Sequence, residues 1–427
     1  MGYRRRVPSV RPLARPAPTV PDDIRRARLA VAGVFFAAGF ALAAWVVNIP
    51  AVQEATGISH ATLGGLLLVL GAGSVVGLQS GGLLIDRVGS RTLTVVAGLL
   101  LAAAVNLPGL AGSPWALAAA LAAFGLANGL TDVAMNDQAV LVERRYPRPV
   151  MSSFHACWSV GGAVGAGVGA LVQRADLPTQ VALGVGAVVT ALLVALSGRF
   201  LVTDRGAVVP EAERGSVTGA PELVPGTRSR LLTLAVLAFL LMLAEGAAND
   251  WSALQAVEDL GQREAAGSLA YGAFAVAMTV GRFASDPVVH RVGRPALVRW
   301  GSLLAAVGVL VVVLSRAYPL TLVGWVAFGL GLSGIVPQIF TTAGNLDVPN
   351  RGVVISRVMG AGYVGILAGP AVVGWLAGLV GLTHALLVPV GCCVVALLVA
   401  HRAVAPAPRR VDGAAQDRRV TAELRRP

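Results

Sequence analysis

Long apolar runs recur along the whole chain, separated by short polar connections. Twelve of them reach about 20 residues, the length of α-helix that crosses roughly 30 Å of hydrocarbon. They cover residues 29–49, 61–84, 92–112, 115–142, 150–172, 179–202, 231–251, 267–286, 295–315, 318–341, 353–378 and 382–401. The composition, with 56% hydrophobic and 13% charged residues, is far more apolar than that of soluble domains. The sequence therefore predicts an all-α membrane protein with twelve transmembrane helices.

The basic residues lie almost entirely on one side of these spans. All 34 are arginines, and with a cytoplasmic N-terminus only Arg174, Arg263 and Arg316 fall in loops on the far side. Cytoplasmic loops carry such an excess of positive charge, so we expect a multi-pass protein of the cell (inner or plasma) membrane with both termini cytoplasmic. This topology accounts for the net charge of +12, and no nucleic-acid partner is expected. The arginines of the tails are expected to be solvated or to touch anionic membrane lipid.

Polar segments divide the chain into five parts. A linker rich in charged residues, Gly and Pro, residues 203–230, separates an N-terminal half (29–202) from a C-terminal half (231–402). Polar cytoplasmic tails, 1–28 and 403–427, precede and follow the two halves.

The two halves share identical residues at a fixed offset of 204 positions. The pairs are Gly77 and Gly281, Arg87 and Arg291, Gly89 and Gly293, Phe124 and Phe328, Gly125 and Gly329, Ser152 and Ser356, Gly161 and Gly365, and Gly165 and Gly369. These identities indicate an internal duplication. Two pseudo-symmetric six-helix halves are typical of one large class of secondary transporters, in which the halves rock to expose a midplane site alternately.

The connection between the second and third spans carries a motif. Residues 82–91 read GLLIDRVGSR, which resembles the signature loop of the major facilitator superfamily, G-x-L-x-D-R-x-G-x-R. The resemblance covers residues 28–402 and implies the fold of that family. Its glycine permits a tight reversal, and its aspartate is expected to face the positive N-terminal end of span eleven and help hold the cytoplasmic side closed. The candidate gating residues are Gly82, Asp86, Arg87, Gly89 and Arg91. The arginines also fit a purely topological role.

A weaker copy of this motif lies between spans eight and nine. It consists of Gly281, Arg282, Asp286, Arg291, Gly293 and Arg294. His290 occupies the position that corresponds to Asp86, so the sequence does not predict an equivalent charge contact in the second half.

Acidic residues are rare inside the apolar runs. Only Asp132, Asp137, Glu245, Asp250 and Asp286 fall there, the last two near the ends of their runs. A charge at a helix centre costs roughly 2.5 to 3.5 kcal/mol on insertion scales, so a chain that keeps one usually uses it. Residues 132–137 and 245–250, in spans four and seven, read DVAMND and EGAAND. In the superfamily these two helices line the central cavity, and we interpret the hexads as its facing polar walls.

Helical spacing separates the candidates within span four. Asn128, Asp132 and Asn136 are four residues apart and share one face, whereas Asp137 points about 140° away from Asp132. Asp137 is therefore assigned to no site, and a paired-carboxylate metal site is not expected. Asp132 and Glu245 are the candidates for proton coupling. The candidate solute-binding residues are Asn128, Asn136, His155, Trp158, Asn249 and Gln338. Hydrogen bonding between helices is the alternative role for the asparagines, and packing is the alternative for His155.

Three stretches together resemble a narrower group of the superfamily. They are DVAMN at 132–136, SFHACWSVG at 153–161 and EGAANDWS at 245–252, and they resemble the rhizopine-transporter-like group, relatives of the fucose permease-type sugar/proton symporters. In the latter, an acidic residue of helix four is tied to proton coupling, and Asp132 occupies the matching position. Their helix-one acid has no counterpart, because residues 29–49 contain no Asp or Glu. The resemblance implies proton-coupled uptake of a small sugar- or polyol-like solute, and we expect a monomer without a cofactor.

Two other classes of transport-fold protein remain as alternatives. Proton-driven exporters of this superfamily usually carry G-x-x-x-G-P in helix five, but here Gly165 is followed by Ala166, and Gly369-Pro370 occurs in span eleven instead. A non-transporting sensor with the transporter fold is the other alternative. The carboxylates of Asp132 and Glu245 at cavity positions argue against it. An enzyme is not expected, because the loops and tails contain no arrangement of nucleophile, base and metal ligands.

Overall fold

The computed structural model of the chain describes residues 20–58, 60–203, 227–262, 264–346, 348 and 351–405, and all regular secondary structure in these ranges is helical. The first half contains α1 (Asp22–Thr56), α2 (His60–Val88), α3 (Ser90–Ala104), a short 3-10 helix (Leu107–Leu110), α4 (Pro114–Arg144), α5 (Met151–Arg174) and α6 (Thr179–Gly198). The second half contains α7 (Thr227–Glu258), α8 (Glu264–Val292), α9 (Arg294–Leu314), α10 (Tyr318–Leu332), α11 (Ile335–Gly344), α12 (Arg351–Val380), α13 (Leu382–Ala385) and α14 (Leu387–Ala403).

The twelve expected spans all fall on these helices. Among the described residues, eleven helical segments are long and apolar enough to cross a membrane, and α8 is not one of them. Its 29 residues are long enough, but Arg282 and Asp286 lower its hydropathy. We count α8 as the twelfth span because it packs between α7, α9 and α10 in the second half and against α5 of the first.

Two expected boundaries differ from the structure. α1 begins at Asp22, inside the expected tail 1–28, where Asp22 and Asp23 place negative charge in the first turn and complement the helix dipole. α7 begins at Thr227, inside the expected linker 203–230. Residues 1–19, 204–226 and 406–427, which include most of the expected tails and linker, lie outside the described residues.

Spans ten and twelve are each broken by a proline. Pro337 lies in the first turn of α11 and Pro389 in the first turn of α14. A proline ring clashes with the carbonyl four residues earlier, at Ser333 and Ala385 respectively, and the preceding helices end there or one residue before. The hydropathy pattern does not reveal these breaks because both sides of each break are apolar.

The helices pack in a repeated arrangement. In the first half α1 packs on α5, and in the second α7 packs on α12. A β-carbon added to Gly165 would lie 2.7 Å from the carbonyl oxygen of Phe40, and one added to Gly369 would overlap the carbonyl of Leu243. Glycine at these positions therefore lets the helices approach closely, as the sequence predicts.

The two halves meet along α2 with α12 and along α5 with α8. Twelve crossings bring residues 20 and 405 to the same face of the bundle, which we call the terminus-bearing face. Gly89 and Gly293, 204 positions apart, turn the chain at this face with φ of 81° and 83°. This left-handed conformation favours glycine, and its recurrence supports the duplication.

Candidate functional site

Asp132 lies deep in α4 within a small group of uncharged polar side chains. Asn136 donates from Nδ2 to the Asp132 carboxylate at 3.0 Å and to the Asp132 carbonyl at 2.9 Å. The hydroxyl of Tyr363, on α12 of the other half, lies beside the carboxylate of Asp132 and the side chain of Asn128. The three α4 residues therefore share one polar face, as the helical spacing predicts.

Asp132 has no cationic partner in the part of the chain that the structure describes. It is half-buried, and it forms no ion pair with any residue that the structure describes. A carboxylate kept inside a membrane bundle without a compensating charge is costly in its ionised form. It is therefore suited to gaining and losing a proton.

Glu245, the other expected acid, has a cationic partner. Arg282 of α8 lies 3.2 Å from the Glu245 carboxylate, and both side chains are largely shielded, with exposures of 12% and 17%. Arg282 also donates to the Ser159 hydroxyl of α5 at 2.6 Å. The sequence assigned Arg282 to the second copy of the loop motif, but the structure places it inside the bundle, where it links the two halves.

His155 lies between aromatic rings from both halves. Its ring centroid is 5.2 Å from that of Phe35 on α1 and 6.1 Å from that of Phe340 on α11. Its Nε2 atom is buried without a hydrogen-bond partner among the described residues. Trp158 lies about one turn further along α5 and Asn249 one turn beyond Glu245 on α7, and both are half-buried.

Gln338 differs from the sequence prediction. Its side chain is fully buried in α11, accepts a hydrogen bond from Arg294 Nε at 3.0 Å and donates to the Ser152 hydroxyl at 3.4 Å. The oxygen and the nitrogen of the side-chain amide are therefore both used, in a contact between the halves near the terminus-bearing face. This position argues against the expected role of Gln338 in solute binding.

Asp86 lies against the start of α12, as the loop motif predicts. Its carboxylate accepts hydrogen bonds from the backbone N–H groups of Gly352 at 3.1 Å and Val353 at 3.4 Å. A carboxylate at a helix N-terminus satisfies free N–H groups and the positive end of the dipole. Because α12 belongs to the other half, this contact joins the halves.

Asp286 makes the same contact in the second half, which the sequence did not predict. Its carboxylate accepts hydrogen bonds from the backbone N–H groups of Ser152 at 2.9 Å and Ser153 at 2.7 Å, at the start of α5. His290, at the position that corresponds to Asp86, is exposed. The acidic residue of α8 therefore lies one helical turn before the position that the 204 offset predicts. It nevertheless makes the same kind of contact with a helix N-terminus of the other half.

Asp137, which the sequence assigned to no site, is fully buried and paired with Arg351 across the two halves. A second ion pair joins Glu143 of α4 to Arg294 at the start of α9, with an N–O distance of 2.7 Å. Arg144 adds a hydrogen bond of 2.5 Å to the side chain of Asn345. These contacts lie at the terminus-bearing face, so the described conformation is closed there.

The remaining residues of the gating motif have different surroundings. A β-carbon on Gly82 would collide with the Ser356 side chain, so Gly82 allows α2 to cross α12 closely. Arg87 is exposed. Arg91 donates to the Gly198 carbonyl at 3.0 Å and to Thr203 at 2.8 Å, both in its own half. Of the five motif residues, only Gly82 and Asp86 therefore contact the other half within the described part of the chain.

The sequence and fold match known transporters. Residues 29–248 and 234–427 match the family model of the Major Facilitator Superfamily. An uncharacterized MFS-type transporter of Yersinia pestis is 36% identical over 365 residues, 85% of this chain and 91% of that protein. The membrane protein MosC of Rhizobium meliloti is 32% identical over 387 residues, 89% of this chain and 92% of that protein.

A solved structure of the same family shares the fold. FucP, a Major Facilitator Superfamily transporter in the outward conformation, superposes with a TM-score of 0.74 at 15% identity, covering 90% of this chain and 100% of FucP. At that identity the likeness concerns the fold alone. The chain belongs to the major facilitator superfamily, and it is a multi-pass membrane transporter rather than an enzyme.

Proposed function

We propose that this protein takes up a small polar, sugar- or polyol-like solute together with a proton, by alternating access. The observation that carries the proposal is the contrast between the two membrane carboxylates. Asp132 has only uncharged hydrogen-bonding partners, whereas Glu245 is paired with Arg282. Asp132 is therefore the proton carrier, and Glu245 balances the arginine instead of acting as a second carrier.

Charge balance relates the proton to the solute. With Asp132 protonated, Asp132, Glu245 and Arg282 together carry no net charge, so a neutral solute can bind without leaving an uncompensated charge in the membrane. With Asp132 ionised, the group carries one negative charge. The charge balance therefore favours movement of solute and proton together, because this group of three side chains is neutral only when the proton is bound.

Several polar atoms in the bundle lack a hydrogen-bond partner among the described residues, and we infer that they contact a polyhydroxylated solute. The His155 Nε2, the Asn136 Oδ1 and the Arg282 Nε atoms are buried without hydrogen-bond partners among the described residues. An unpaired buried polar group costs free energy that a bound hydroxyl would recover. The rings of Phe35 and Phe340 beside His155 provide apolar surfaces for the C–H face of a sugar ring.

The closed contacts fit one step of the proposed cycle. If the terminus-bearing face is cytoplasmic, as the arginine distribution predicts, the described conformation is closed to the cytoplasm and receives solute and proton from outside. Rocking of the halves would then separate Asp86 from α12 and Asp286 from α5 and release both on the inner side. The E. coli fucose:proton symporter FucP has the same fold, which is consistent with this proposal at the level of architecture.

Transport into proteoliposomes tests the proposal. Purified protein is first screened by thermal shift against sugars, inositol derivatives and amines, and the stabilising compound is then supplied in radiolabelled form. We expect accumulation above the equilibrium level when the outside is acidic, and its collapse when a protonophore is added. Accumulation only when the inside is acidic would indicate a proton-driven exporter and would refute uptake by symport.

A further inference from the structure

A pocket on the terminus-bearing face of the first half is rich in arginine. It has a volume of about 320 Å³ and lies between the start of α1, the end of α4 and the segment that follows α6. Four of its eleven lining residues are arginines, namely Arg26, Arg91, Arg145 and Arg199, and Asp23 is the one acidic residue. It is separate from the Asp132 site.

Three of these arginines have no anionic partner among the described residues. Arg26, Arg145 and Arg199 are exposed, and none forms an ion pair with a residue that the structure describes. Like charges that converge on one pocket repel each other, by roughly 1 kcal/mol at 4 Å even in bulk water. An anion bound between them would remove that repulsion.

The pocket is held in shape by contacts that do not use these three side chains. Arg91 donates to the carbonyl of Gly198 and to the side chain of Thr203, which fixes the segment after α6. Arg28 donates to the Tyr146 hydroxyl at 3.2 Å and lies over its ring, which fixes α1 against the end of α4. The fold thus brings Arg26, Arg145 and Arg199 to one pocket, and their exposed side chains remain available to a ligand.

The surroundings of the pocket fit a lipid better than a soluble anion. The apolar span of α6 ends at Gly198, so the pocket lies at the level where lipid head groups meet the hydrocarbon. Phe200 is 41% exposed, and its ring lies 5.5 Å from the Arg199 guanidinium. Buried Ile24 and Ala27 line the same pocket. Arginines bind phosphate through paired hydrogen bonds, and basic pockets between membrane helices bind anionic head groups.

We propose that this pocket binds the phosphate of an anionic phospholipid head group. All lining residues belong to the first half, so the bound lipid would hold α1, α3, α4 and α6 together without joining the two halves. Binding is therefore independent of whether the terminus-bearing face is open or closed, and it differs from the contacts of Asp86 and Asp286.

The test is lipid binding by the full-length purified protein. Delipidated protein in a neutral detergent is titrated with short-chain phosphatidylglycerol, short-chain phosphatidylcholine or inorganic phosphate, and bound lipid is counted by native mass spectrometry. The test variant is R26Q/R145Q/R199Q. The control is R291Q/R299Q/R402Q, which removes three exposed arginines of the second half and leaves the same net charge.

We expect phosphatidylglycerol to bind more tightly than phosphatidylcholine, with a loss on the order of fivefold for each arginine removed in the test variant and little loss in the control. The single variant R145Q should show a loss of about fivefold even if the triple variant is unstable. Equal losses in both triple variants would mean that only net charge matters, and displacement of the lipid by millimolar inorganic phosphate would point to a soluble anion. Either result would overturn the proposal.

Discussion

Asp137 of α4 accepts two hydrogen bonds from Arg351, at 2.8 and 2.9 Å, across the boundary between the two halves. The Asp137 side chain is fully shielded from solvent and that of Arg351 is 17% exposed. A two-point arginine–carboxylate pair is both strong and geometrically specific. The pair can form only while the end of α4 lies against the start of α12. It therefore stabilises the closed state of the terminus-bearing face relative to the open state.

The first prediction concerns this pair. The variant D137N should shift the protein toward the conformation open at the terminus-bearing face, because it removes the charged two-point contact with Arg351, which contributes about 1.5 to 3 kcal/mol. The measurement is the distance distribution between spin labels at exposed positions near the end of α4 and the start of α12. The exchanged variant D137R/R351D should recover part of the closed population, and an unchanged distribution in D137N would contradict the assignment.

The second prediction concerns the matching contacts of Asp86 and Asp286. Each carboxylate caps the first turn of a helix in the opposite half, so D86N and D286N, which keep an accepting oxygen but lose the charge, should each destabilise the closed state by about 0.3 to 1 kcal/mol. The two sites use different helices, so their effects should add in the double variant. The same spin-label distances report the result. The replacement H290N is the control, since His290 is exposed and occupies the position that corresponds to Asp86. An effect of H290N as large as that of D286N would contradict the assignment of the stabilising contact to Asp286.

The third prediction concerns the pair of Arg282 and Glu245. Removing one partner leaves an uncompensated charge in the membrane, so E245Q and R282Q should each impair solute binding and lower thermal stability. The double variant E245Q/R282Q should be less impaired than the sum of the two, by roughly 1 kcal/mol or more in a double-mutant cycle. Binding of the solute found in the screen gives the cycle. Strict additivity would mean that the two side chains act separately.

The fold could be predicted from the sequence because each of its determinants is local. Apolar runs of helix length and glycines at helix contacts and turns depend on residue type and spacing alone. The breaks before Pro337 and Pro389 were missed because hydropathy does not distinguish a broken apolar helix from a continuous one. The start of α1 at Asp22 was missed because its first turn is polar.

The candidate site could be predicted only in part. Spacing placed Asn128, Asp132 and Asn136 on one face, which the Tyr363 contacts confirm. Tyr363 itself lies in a run of small residues with no pattern that marks it, and its role depends on how α12 packs against α4.

Arg282 was harder to recognise for a different reason. It lies within five residues of one boundary of its apolar run. Arg299 and Arg357 also lie that close to a boundary of their runs, and both are exposed. Sequence position does not separate an arginine that leaves the membrane from one that turns inward to a carboxylate on another helix. The partners of Asp137 and Asp286 likewise depend on contacts between halves, which no local pattern encodes.

The central claim is that Asp132 carries the coupled proton, and the variant D132N tests it most directly. Asparagine keeps the size of the side chain and an accepting oxygen but cannot take up a proton, and D176N, at an exposed aspartate between α5 and α6, serves as the control for the same substitution. In proteoliposomes loaded with unlabelled solute, D132N should exchange labelled solute at a rate within about tenfold of the wild type, because solute binding and rocking remain.

With an inward proton gradient and no internal solute, the wild type and the control should accumulate the labelled solute above the external concentration, while D132N should only equilibrate it. Accumulation by D132N that matches the wild type would contradict the account.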